Sequence, residues 1–131
     1  MAKARRQQVA ERAMGRCEYC RFPEELDVQP FQVDHVRAIK HSGPTTLANL
    51  AWSCLPCNAA KGPNVAGYDP EGGTLEPLYN PRADSWDDHF AWEGPVLKGK
   101  TVIGRTTIEV LKINAPDRVE LRRLLIAAGL F

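Results

Sequence analysis

Four cysteines stand in two Cys-x-x-Cys pairs, Cys17/Cys20 and Cys54/Cys57, and the chain has no others. Two thiolates spaced this way can grip one metal ion from a tight knuckle, and two knuckles complete a tetrahedral zinc site. Four sulfurs leave no open coordination position, so such a site supports structure and does no chemistry. The alternatives are a redox dithiol or a pair of disulfides. The chain lacks the βαβ pattern in which Cys-x-x-Cys does redox work, and intracellular thiols stay reduced, so the spacing points to zinc.

The residues framed by the pairs are of another kind. Asp34 and His35 are adjacent, Asn49 follows in the same segment, and Asn58 and Lys61 come directly after the second pair. Carboxylate and amide oxygens are hard ligands suited to Mg²⁺ or Mn²⁺. A neutral imidazole beside such a cation can take a proton from water attacking a phosphodiester. On its own, Asn49 before Leu50 reads equally as a turn cap, Asn58 as a partner for knuckle carbonyls and Lys61 as a solvated helix-end charge. His41 falls in a Gly/Pro loop and reads as surface. His89, among Trp86, Phe90 and Trp92, reads as a brace.

These side chains need a frame. Residues 31–36 alternate apolar and polar, a strand pattern that sends Asp34 and His35 to opposite faces. Residues 50–53 are expected to form a second strand, antiparallel to the first, and residues 57–61 a short helix stopped by Gly62-Pro63. Ahead of the first knuckle, residues 2–14 read as a helix ending near Gly15. Its Lys3, Arg5, Arg6 and Arg12, with Arg16 beyond, offer either a solvated face or a phosphate-contact surface. Residues 63–81 are rich in Gly and Pro and read as a wrapping loop. A hairpin turning near Lys98-Gly99-Lys100 is expected next, then helices over 106–113 and about 116–128. Val119, Leu121, Leu124, Leu125 and Ala128 mark the expected buried face of the last one.

Length and composition fit a single soluble domain, with apolar residues at 44% and charged residues at 25%. No apolar run is long enough to span a bilayer. The basic start lacks the apolar stretch of a secretory leader, so the cytoplasm is the expected compartment. The net charge of +1 hides an uneven distribution. Lys and Arg outnumber Asp and Glu nine to six over residues 1–62, fall to one against seven over 63–96, and lead seven to three over 97–131. Basic ends around an acidic middle mildly favour a nucleic-acid partner.

Taken together, Cys17-x-x-Cys20, Asp34-His35, Asn49-Leu50, Cys54-x-x-Cys57-Asn58 and Lys61-Gly62 resemble the HNH endonucleases. A looser likeness to small stand-alone bacterial members runs through Asn80-Pro81-Arg82, Trp86, His89-Phe90, Trp92 and Gly104-Arg105. The resemblance implies an α+β fold with a treble-clef-like ββα-metal core at about 15–62, stapled by zinc. The wrapping extension at about 63–131 would make one domain with it. It further implies a metal-dependent nuclease acting on DNA, with no membrane partner. His35 would be the general base, and Asp34 and Asn58 the ligands of one Mg²⁺ or Mn²⁺. Asn49 would hold the loop that orients His35, while Lys61 and Arg37 would contact phosphate. Where the family name calls for a third histidine this chain has Asn58, as many members do. A zinc-dependent DNA-binding module without cleavage is the alternative. One active centre cuts one strand, so a double-strand break needs two centres or two visits.

Overall fold

The computed structural model describes residues 2–131. Helix α1 (Lys3–Arg12) leads to the first knuckle; strands β1 (Gln32–His35) and β2 (Leu50–Ser53) follow, and helix α2 (Leu55–Lys61) completes a ββα unit. The strands pair antiparallel with Val33 opposite Trp52, Asp34 opposite Ala51 and His35 opposite Leu50. All four β2 residues are buried, as expected of a strand covered on both faces. The backbone turns left-handed at Met14 and Gly15, which ends α1 two residues before the expected limit.

Three arginines tie the outer layers to this unit. Arg6 Nη2 donates to the Phe31 carbonyl at 2.7 Å, and its guanidinium lies 4.7 Å from the centre of the Trp52 ring. Arg12 donates to the Leu47 carbonyl at 2.9 Å and the Leu50 carbonyl at 2.6 Å. Arg82, from the extension, reaches the same Leu50 carbonyl at 3.1 Å and pairs with the buried Glu18 carboxylate. Arg6 and Arg12 therefore clamp α1 onto β2, alongside the buried Val9 and Ala13. Both were candidates for a phosphate-contact surface.

The extension is more regular than its composition suggests. Residues 63–81 contain a hairpin of β3 (Ala66–Tyr68) and β4 (Leu75–Pro77) rather than an irregular loop. Its tip is organised by Asp69, which accepts from the Glu71 and Gly72 amides and from Arg105 Nε at 3.0 Å and Nη2 at 2.8 Å. A short helix α3 (Trp86–His89) then precedes strands β5 (Phe90–Glu93) and β6 (Val96–Gly99). Their turn falls at Gly94, whose φ is +60°, and not at Lys98-Gly99-Lys100.

Helix α4 (Val102–Leu111) also starts earlier than expected, because Thr101 caps it by accepting the Gly104 amide at 3.0 Å. Gly104 is no breaker here: a Cβ on it would lie 2.2 Å from the His89 carbonyl oxygen.

The last helix, α5 (Pro116–Ala127), buries a different face from the one its leucines mark. Arg122 is 2% exposed, while Leu121 and Leu124 stand 46% and 53% exposed. The guanidinium docks instead, donating to the Pro95 carbonyl at 2.7 Å, the Ile113 carbonyl at 3.0 Å and Asn114 Oδ1 at 3.1 Å. Among the described residues no helix is long and apolar enough to cross a membrane.

The Asp69 pairing has a pH signature. Hydrogen bonding from Arg105 holds this carboxyl down at about 2, against the opposing effect of burial. A depressed folded value means the contribution is complete above the ordinary carboxylate range and is lost as pH falls from about 4 towards 2. Asp69→Asn should flatten the stability profile over that window in denaturant melts. A profile unchanged by the substitution would remove Asp69 from the acid response.

Candidate functional site

The four cysteines form a closed cluster. All are buried and unpaired by disulfides, and their sulfurs lie within 4.8 Å of one another. Cys17 and Cys20 come from the knuckle after α1, Cys54 caps α2 and Cys57 lies in its first turn. The first knuckle is sewn to β2 by the Glu18 amide donating to the Trp52 carbonyl and the Trp52 amide donating to Glu18 Oε2, both at 2.8 Å.

Protons cannot satisfy four thiols at this spacing evenly. Hydrogen bonding from Cys17, Cys54 and Cys57 holds the Cys20 thiol well below its usual range, whereas burial, then Cys17, Cys20 and Cys54, push Cys57 well above. A thiophilic dication such as zinc fits the donor set and would remove the conflict. The protein also brings its own charge: Arg118, in the first turn of α5, donates to Cys57 Sγ at 3.0 Å. Burial works against the Arg118 charge, but Cys57 and Cys20 outweigh it and hold the guanidinium above its ordinary range.

Beside the cluster, the β1 alternation separates Asp34 from His35 as the sequence pattern requires. Asp34 is 4% exposed. Its Oδ2 accepts from the Tyr19 hydroxyl at 2.6 Å, and Lys61 Nζ lies 3.2 Å from Oδ1 and 3.1 Å from Oδ2. Burial raises the Asp34 carboxyl, with Lys61 and then Tyr19 pulling the other way. Burial first, and Asp34 second, push the Tyr19 phenol well above its usual range, which keeps it a donor.

His35 projects outward, its Nε2 2.9 Å from Thr45 Oγ1. Asn49 bonds across the loop that follows β1. Its Oδ1 accepts the Arg37 amide at 2.9 Å, and its Nδ2 donates to the Arg37 and Pro44 carbonyls, each at 2.9 Å. One amide thus closes the loop that runs from His35 to Thr45. Gly43 lies in that loop where a Cβ would come 1.6 Å from the Arg37 carbonyl oxygen.

Asn58 is half-buried on α2, one turn before Lys61, which puts the two on one helix face. Lys61 is turned inward, 1% exposed, and also donates to the His35 carbonyl at 3.1 Å. Arg37 is exposed, with Nη2 on the Ser42 carbonyl at 3.3 Å. It lines a groove of about 540 Å³ with Val36, His41 and Lys61 on the core side and Tyr79 and Ile103 on the extension side. His89 lies away from this cluster as a brace: Nδ1 is 2.6 Å from Thr101 Oγ1, and the ring packs edge-on to Tyr79.

Three residues of the site escaped sequence reading. Tyr19 sits inside the first knuckle, where an aromatic looks like packing. Thr45 lies in a loop ten positions from His35 and carries no motif of its own. Arg118 was one of several C-terminal basic residues, and its partners lie 61 and 64 positions away.

A ββα unit with a buried four-cysteine cluster and Asp34-His35 at a strand end defines a class, and the comparisons agree. Residues 17–64 match the family model described as HNH endonuclease. The Septu protein PtuB of Bacillus thuringiensis is 31% identical over 121 residues, an alignment covering 90% of this chain. The chain spans 44% of that relative's length. No solved structure matches the chain.

Asn49→Ala removes three hydrogen bonds from the loop and should cost about 1–3 kcal/mol. Hydrogen exchange at the Arg37 amide should speed up with it. An exchange rate equal to wild type would mean that the loop is held by something else.

Proposed function

We propose that the protein is a divalent-metal-dependent endonuclease that hydrolyses DNA phosphodiester bonds, with core and extension acting as one domain. The observation that carries this reading is the arrangement at the end of β1. A carboxylate faces inward beside α2, and the neighbouring imidazole faces outward on a loop locked by Asn49. A binding module has no need of both. The interlock of Arg82 with Glu18, and of Trp86 Nε1 with the Tyr19 carbonyl at 2.8 Å, supports the single domain.

His35 is the general base. With Nε2 engaged by Thr45, Nδ1 is the nitrogen left to accept a proton from the attacking water. Thr45 is thus a positioning residue, and Asn49 fixes the loop that carries it. Asp34 and Asn58 would hold one Mg²⁺ or Mn²⁺, which when bound would stabilise the negative charge developing at the phosphate and the leaving 3′-oxygen. Tyr19 keeps the Asp34 carboxylate in a fixed orientation. Arg37, exposed at the groove, contacts the phosphate backbone. Zinc fills the cysteine cluster and takes no part in the reaction.

The zinc-loaded protein should nick supercoiled plasmid with Mg²⁺ or Mn²⁺, and His35→Ala should lose about 10²-fold or more. Salt-sensitive DNA binding without nicking at any divalent concentration would favour the binding-module reading instead. Stripping the cysteine cluster with a strong chelator should unfold the core, visible as loss of cooperative melting that Mg²⁺ does not restore. Full recovery on Mg²⁺ alone would argue against a four-thiolate zinc site.

A further inference from the structure

Lysine is seldom enclosed in a protein interior unless it is paired. Lys61 is 1% exposed, and the acceptors of its ammonium are three oxygens of β1: Asp34 Oδ1 at 3.2 Å, Asp34 Oδ2 at 3.1 Å and the His35 carbonyl at 3.1 Å. An ammonium has three N–H donors, so these acceptors use its capacity. Two carboxylate oxygens and a carbonyl are also the kind of donor set that holds a hard cation. Tyr19 fixes Oδ2 from the other side at 2.6 Å, so the carboxylate keeps its orientation whichever cation faces it.

We propose that Lys61 is a resident cation of the active centre. It neutralises Asp34 until a divalent cation binds, and is displaced from the carboxylate when one does. This rests on the reading of Asp34 as a cation ligand. A dication joining Asp34 while the ammonium stayed in place would meet a like charge at close range, in surroundings that screen it poorly. Lys61 therefore raises the metal concentration at which the site fills, and the empty site keeps no buried unpaired carboxylate.

The ammonium has somewhere to go. Lys61 is the last residue of α2, and its stem already lines the groove shared with Arg37 and His41. Once displaced into that groove, the charge stands where a phosphate backbone would pass. Metal filling and strand binding then reinforce each other.

The test is Mn²⁺ affinity, measured by calorimetry on zinc-loaded protein. Lys61→Gln keeps a donor for the His35 carbonyl and removes the charge, and it should bind Mn²⁺ about tenfold tighter or more. Lys61→Arg keeps the charge and should stay within about threefold of wild type. Asp34→Asn should abolish binding in every background. Equal or weaker affinity in Lys61→Gln, with binding still dependent on Asp34, overturns the resident-cation role and leaves the nuclease reading standing. Binding indifferent to Asp34→Asn overturns both. If Lys61→Gln does not fold, the wild type decides. Titration with Mg²⁺ should move the Lys61 ¹⁵Nζ resonance with the same midpoint as metal binding, and a resonance unmoved at saturation overturns the proposal.

Discussion

Four buried sulfurs within 4.8 Å of one another impose the constraint that the rest of the molecule answers. Thiols brought that close repel as anions and crowd as acids, so the cluster holds together only around positive charge. Part of that charge is covalently present. Arg118 anchors α5 to Cys57 and, through the Leu111 carbonyl at 2.9 Å, to the end of α4. The far end of the chain is thereby attached to the cluster that organises its beginning. The first knuckle meanwhile fixes β2, and β2 fixes the register that separates Asp34 from His35. Cluster and candidate site are chemically separate but mechanically continuous.

That continuity explains which parts of the fold were legible. The β2 limits at Leu50 and Ser53 were readable because an apolar run ends abruptly at Cys54. The β1 strand was readable from its alternation, although the residue buried within it is Asp34 and not an apolar one. Asn49 was readable through its place in a recognised motif, not through its own chemistry. Failures came where a distant partner decided. Gly104 looks like a helix start until the His89 carbonyl is seen pressing on it. The leucine spacing of α5 is a fair helical pattern, yet Arg122 takes the buried position because three acceptors from the β5–β6 turn and the end of α4 converge on it. No local window contains them. The same holds for Tyr19 and Asp34, fifteen positions apart and joined only by folding.

Placing Asp34 and His35 next to each other on a strand is economical geometry. Neighbours in sequence reach opposite faces, so Asp34 is sheltered between the first knuckle and α2 while His35 stays partly exposed. Each can then be tuned alone: Asp34 by burial, Tyr19 and Lys61, and His35 by a hydroxyl on a clamped loop.

Arg6, Arg12, Arg82, Arg105, Arg118 and Arg122 all spend their guanidinium donors inside the molecule, on carbonyls, carboxylates, an amide oxygen or sulfur. Part of the formal positive charge at the two ends of the chain is therefore internal mortar. Guanidinium groups held this way are fixed in place and are not free to meet an outside anion.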